Sequence, residues 1–130
     1  MRTWTVAALA LLVAACESHT GPSESLGVTV FEHPDFGGNS RTFDGNAFDL
    51  DDLRGPCSGL FDSGDDGHWD DCISSVRVAP GWEVTLFEHD EYDGESLSLT
   101  LDIRDLDAID GPCGRDWDDC VSSLVVRPPF

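Results

Sequence analysis

Short runs of alternating apolar and polar residues, broken by Gly, Pro and Asp, set the pattern of this chain. Val28 alternates with Val30, Val84 with Leu86, and Leu97 with Leu99 and Leu101. Val76 with Val78 and Leu124 with Val126 repeat the arrangement. A period of two puts one strand face against a core. No helical period is sustained over a window of about 11 residues, although LDDL (50–53) and LDAI (106–109) suit single turns. Short strands with turn residues between them predict an all-β sandwich.

The pattern occurs twice. VTVFEHPDFGGNS (28–40), DLDDLRGPC (49–57) and WDDCISSVRV (69–78) are followed by VTLFEHDEYDGES (84–96), DLDAIDGPC (105–113) and WDDCVSSLVV (117–126). Phe31 to Phe87 and Cys57 to Cys113 are both 56 positions apart, whereas Asp70 to Asp118 is 48. The first half therefore carries eight extra residues within SGLFDSGDDGH (58–68). The chain is an internal duplication.

The first 16 residues stand outside this pattern. Arg2, an apolar run and then Ala14 and Ala15 have the anatomy of an export signal, too short to span a membrane as a helix. The closing VAAC is similar to a bacterial lipoprotein cleavage box. That resemblance implies that Cys16 becomes the acylated N-terminus, leaving the chain lipid-anchored in the bacterial cell envelope, at the outer membrane or cell surface. Residues 17–27, polar with Gly and Pro, read as a flexible tether. The folded domain is expected over 28–128, with halves at 28–79 and 82–128.

Charge narrows the partners. A formal net charge of −19 repels nucleic acid and anionic headgroups, so the membrane is met only through the lipid anchor. With Cys16 set aside, four of the five cysteines remain, and in an exported chain disulfides are the default. Of three possible pairings the repeat favours Cys57–Cys72 with Cys113–Cys120.

Each DDxxSS segment raises a question of parity. Ile73 and Val76 are three apart, as are Val121 and Leu124, so they cannot share one face of a continuous strand. If all four are buried, the chain must turn between them. Turning backbone presents carbonyl oxygens beside the Asp carboxylates and Ser hydroxyls, which makes a cluster of hard oxygen donors. Calcium takes about 6–8 such oxygens. Zinc and copper favour nitrogen and sulfur, and magnesium demands a tighter octahedron.

FEHPDFGG, through Phe31, Phe36 and Gly38, and FEHDEYDG, through Phe87, Tyr92 and Gly94, each carry an aromatic-x4-aromatic-x-Gly signature. Together with DDCISS and DDCVSS, they give a chain that resembles the βγ-crystallin family in its calcium-binding microbial branch. The resemblance implies two Greek keys forming one eight-stranded, two-sheet sandwich, with two Ca2+ sites each completed by loops of both keys. It implies carboxylate ligands from Asp71 and Asp119 and hydroxyl ligands from Ser74 and Ser122. Main-chain carbonyls would come mainly from Asp70, Asp118, Glu32 and Glu88. Ser75 and Ser123 are expected to hydrogen-bond the fold instead.

Other chemistries fit less well. DSGDDGHWDDCI (62–73) lacks the acid at position 3 and the final Glu of an EF-hand loop. His68 and Cys72 as zinc ligands have no counterpart His at Asp116. His33 and His89 recur with no nucleophile motif beside them, so no enzymatic activity is expected. Trp69 and Trp117 read as core or lid aromatics; exposed, they could stack on sugars. The expected function is a calcium-stabilised, monomeric surface domain, structural or protective. The alternatives are a carbohydrate- or protein-binding module and a secreted inhibitor or toxin on the same fold.

Overall fold

The computed structural model describes residues 26–58 and 67–130. The expected export signal, Cys16, nearly all of the expected tether and most of the acidic insertion lie outside the described residues. In the first key, β1 (Val28–His33) is the centre of a sheet, paired antiparallel with β2 (Gly37–Phe43) on one side. The third member of that sheet is β4 (Ser75–Val78), on the other side of β1. A short β3 (Arg54–Cys57) stands outside the sheet and bridges to His68. In the second key, β5 (Glu83–Phe87) pairs antiparallel with β6 (Ser96–Leu99) and with β9 (Ser123–Arg127). There β7 (Asp110–Gly111) and β8 (Arg115–Asp116) make a separate small hairpin.

Each sheet draws its fourth member from the other key. Ile103 forms an antiparallel bridge with Val76, and Ala47 with Leu124. Both bridges are doubly hydrogen-bonded, Val76 N to Ile103 O at 2.9 Å with Ile103 N to Val76 O at 2.8 Å, and Ala47 N to Leu124 O at 2.9 Å with Leu124 N to Ala47 O at 3.0 Å. A side chain supplies the next rung, since Val78 N donates to Asp102 Oδ1 at 2.7 Å and Val126 N to Asn46 Oδ1 at 2.8 Å. The eight-stranded, two-sheet arrangement is thus complete, with two of its strands reduced to single bridging residues.

The predicted strand faces are in place. Val28, Val30, Val76, Val84, Leu86 and Leu124 are fully buried between the sheets. Leu101 departs from the expectation: β6 ends at Leu99, and Leu101 is 75% exposed. The chain leaves the ladder there, because Asp102 and Ile103 cross to the first key's sheet. LDDL and LDAI do form single 3-10 turns, Leu50–Asp52 and Leu106–Ala108, each pinning a fully buried leucine. Trp69 and Trp117 are 3% exposed and belong to the core, which removes the exposed pair that sugar stacking needs. Both disulfides connect as the repeat favoured, Cys57 to Cys72 and Cys113 to Cys120.

Candidate metal centre

The aromatic signatures each fold the hairpin after a sheet's central strand. Phe31 and Phe36 lie 5.5 Å apart by ring centroid, and Phe87 and Tyr92 lie 5.7 Å apart. The tight bend forces positive φ on Phe36 (60°) and Tyr92 (59°), and Gly38 (75°) and Gly94 (81°) absorb the remainder. At Gly38 an added Cβ would also meet His33 Cδ2 at 2.6 Å, so only glycine fits. The second serine of each DDxxSS ties this bend down. Ser75 Oγ donates to His33 O at 2.6 Å and accepts from Phe36 N at 3.0 Å, and Ser123 Oγ makes the same two bonds to His89 O and Tyr92 N.

The acidic half of DDxxSS makes the turn that parity required. Asp71 (φ 49°) and Asp119 (φ 50°) are left-handed, and Ile73, Val76, Val121 and Leu124 are all fully buried. The two segments lock reciprocally, with Asp71 N donating to Val121 O and Asp119 N to Ile73 O, both at 3.1 Å. This exchange pairs each carboxylate with the opposite key's serine. Ser74 Oγ lies 3.5 Å from Asp119 Oδ1, and Ser122 Oγ 3.5 Å from Asp71 Oδ1. Two oxygens at that separation can both reach one cation at about 2.3–2.6 Å.

The surroundings are strongly acidic. Asp49, Asp51, Asp70, His89, Asp90 and Ser122 line one concavity of about 330 Å³. It unites the 3-10 turn of the first key with the folded hairpin of the second. Within each clamp one carboxylate oxygen, Asp70 Oδ1 or Asp118 Oδ1, is buried without a hydrogen-bond partner among the described residues. A buried acceptor left unpaired is costly, and the same atom is left so in both keys. Burial, and then the adjacent Asp70 carboxylate, push Asp71 up to about 6 from 3.8. Burial and Asp118 likewise raise Asp119. Outside the clamp, a hydrogen bond with Asp116 raises Asp107.

Orphaned carboxylate oxygens, raised acids and facing hydroxyls make an oxygen donor set that fits a calcium ion. No group of three His, Cys, Asp or Glu side chains converges on one point among the described residues. Each clamp would therefore rely on hydroxyl and main-chain oxygens beside its carboxylates. The carboxylates of Glu32 and Glu88 are engaged elsewhere. Glu32 Oε2 accepts from Asn39 N at 3.2 Å and Asn39 Nδ2 at 2.9 Å, and Glu88 Oε1 lies 3.1 Å from His89 Nε2.

Sequence reasoning did not single out Asp49, Asp51 and Asp90, which line the second clamp. A signal for the first two was present. Asp49 and Asp51 recur as Asp105 and Asp107 at the same 56-residue interval as the aromatics. Both 3-10 turns are begun by such an Asp, since Asp49 Oδ1 accepts from Asp51 N at 2.9 Å and Asp105 Oδ1 from Asp107 N at 3.0 Å.

Solved structures with this architecture are βγ-crystallin domains. A structure from work on the evolution of the eye-lens βγ-crystallin domain fold is 26% identical, with a TM-score of 0.60, covering 84% of this chain and 91% of its own. A βγ-crystallin domain from Flavobacterium johnsoniae is 24% identical, with a TM-score of 0.54, covering 78% of this chain and 93% of its own. The N-terminal domain of protein S, at 23% identity and a TM-score of 0.55, covers 79% and 98%. The protein therefore has the βγ-crystallin fold, two Greek keys in one sandwich. The family model of peptidase inhibitor family I36 matches residues 25–99, and the chain belongs to that family. Comparison with curated proteins finds no matching relative.

Proposed function

We propose that this chain is an exported βγ-crystallin domain that binds two calcium ions and is stabilised by them. Acylated Cys16 would tether it to the bacterial envelope, where it serves a structural or protective role. The observation that carries the calcium reading is the reciprocal pair of clamps, Ser74 with Asp119 and Ser122 with Asp71. Each clamp also holds a buried carboxylate oxygen without a partner among the described residues. Asp71, Asp119, Ser74 and Ser122 would hold the ions by their side chains. Asp70, Asp118, Glu32 and Glu88 would add main-chain oxygens, and the orphaned Asp70 and Asp118 oxygens are candidates as well.

A bound ion neutralises carboxylates that otherwise repel one another. Because the clamps exist only when both keys are folded, binding stabilises the fold. The gain is about 2.7 kcal/mol when calcium exceeds its Kd a hundredfold. Calorimetric titration of residues 27–130 with calcium tests this, with two equivalents expected. Ser74→Arg with Ser122→Arg should abolish the heat, and a flat titration of the unsubstituted protein would end the reading.

A second reading, peptidase inhibition, is favoured by the family match over residues 25–99. In that role the calcium clamps would stiffen the scaffold that presents the inhibitory surface. Inhibition assays against secreted peptidases separate the two readings, because calcium binding alone predicts no inhibition.

A further inference from the structure

We propose that the two clamps bind calcium unequally, and that the carboxylate of Asp90 makes the Asp71–Ser122 clamp the tighter one. The inference rests on the calcium reading and ranks its two sites by a residue that the repeat does not share.

The duplication supplies its own control. Four carboxylates recur around the two clamps, with Asp49, Asp51, Asp70 and Asp71 answered by Asp105, Asp107, Asp118 and Asp119. The hairpin beside each clamp is also held alike. On one side Ser123 Oγ donates to His89 O, and Glu91 N donates to Phe48 O at 2.9 Å. On the other, Ser75 Oγ donates to His33 O, and Asp35 N donates to Arg104 O at 2.7 Å. Between those anchors stand Asp90 and, 56 positions earlier, Pro34. The scaffold is shared and the side chain is not. Asp90 offers two anionic oxygens, and a proline ring offers none.

Asp90 is placed to use them. It lines the concavity of about 330 Å³ together with Ser122, Asp70, Asp49 and Asp51. Its carboxylate makes no hydrogen bond or ion pair among the described residues, whereas its carbonyl accepts from Asp93 N at 3.2 Å. The backbone is thus fixed while the oxygens stay available. An arm ordered beforehand loses little freedom when it closes on an ion.

Two further breaks in the repeat bear on the ranking. His68 stands where the second key has Asp116, and its Nε2 lies 3.6 Å from Asp51 Oδ1, so the Asp71–Ser122 clamp lacks that acid. Asp116, however, is already engaged. Its Oδ1 accepts from Asp118 N at 2.9 Å, and it shares a hydrogen bond with Asp107. The second break is Arg104, the counterpart of Phe48. Its Nε lies 3.3 Å from Asp35 Oδ1, in the hairpin beside the Asp119–Ser74 clamp. Asp35 has its own counterpart in Glu91, so Arg104 is an added positive charge that offsets Asp116. The charge of Asp90 has no such offset. Calcium affinity rises with the number of charged ligands, which puts the Asp71–Ser122 clamp ahead.

The test titrates the full chain, disulfides oxidised, with calcium chloride alone, followed by calorimetry and by amide NMR. Two steps of one equivalent each are expected. The first should saturate the amide shifts of Asp71 and Ser122, and the second those of Asp119 and Ser74. Asp90→Asn should weaken the tighter step by ~10-fold or more, a modest move on a scale that spans decades with ligand charge. The other step should stay within about twofold, as separate sites do. Pro34→Asp, the reverse exchange, should tighten the weaker step. Should that chain fail to fold, Asp90→Asn, an exposed and isosteric change, decides alone. Equal filling of both clamps, prior filling of the Asp119–Ser74 clamp, or unchanged binding by Asp90→Asn overturns the proposal while leaving the calcium reading intact. Absence of both heat and shifts in the unsubstituted chain defeats the calcium reading and the ranking with it.

Discussion

Replacing Asp71 by Asn should make the calcium-free protein more stable, even though it removes a proposed ligand. Asp71 Oδ1 faces Ser122 Oγ at 3.5 Å, and an Asn oxygen can keep that contact. The native carboxyl is raised from 3.8 to about 6, by burial first and by Asp70 second, so its charged form is disfavoured in the fold. The sign follows directly. The folded-state value lies above the unfolded one, so this stabilising contribution is complete below 3.8 and lost as pH rises through about 6. A rise of roughly two pH units, at about 1.36 kcal/mol each, sets an upper bound near ~3 kcal/mol. Asp71 is exposed to solvent on one side, and screening reduces the figure to roughly 1 kcal/mol. For a domain of this size that corresponds to about 4–8 °C in Tm.

Calorimetric melts in chelator should therefore place Asp71→Asn above the unsubstituted protein at pH 7.5, with the difference gone below about pH 4. With excess calcium the order should reverse, because the variant forfeits one site's contribution of about 2.7 kcal/mol at a hundredfold excess over Kd. A variant that melts lower in chelator at neutral pH would refute the idea that like-charge repulsion and burial strain the empty clamp. A gap that persists unchanged in acid would refute the assignment to this carboxyl.

Cys113→Ser with Cys120→Ser opens a loop with a sequence separation of 7 and should cost roughly 2–3 kcal/mol by chain entropy. Urea unfolding measures it, and an unchanged midpoint would mean that the clamp turn is held without the bridge. Ser75→Ala strips a fully buried hydroxyl from His33 O and Phe36 N. It should cost about 1–3 kcal/mol and speed hydrogen exchange at the Phe36 amide. No change at that amide would contradict the role given to this serine.

Much of the fold was legible before any coordinates. The central strands β1 and β5, the closing strands β4 and β9, and the aromatic corners follow from short local patterns, and the duplication from their return 48 to 56 positions later. The turn inside DDxxSS was legible too, because buried residues three apart cannot share a strand face. Strand β2 was not, since GGNSRTF shows no apolar alternation. As an edge strand it leaves all but its last residue at least partly open to water, and its ladder bonds to β1 define it instead.

Local sequence determined which donors exist: two carboxylates, two serines and a turn, twice over. Tertiary structure alone decided how they are shared. Ala47 and Ile103 each cross to the other key's sheet, and that exchange sets Asp71 against Ser122 and Asp119 against Ser74. Periodicity reports whether a residue faces a core, but not which strand lies beside it. Strand pairing is a long-range choice, made when the two sheets bury their apolar faces against each other, and the clamps follow from it.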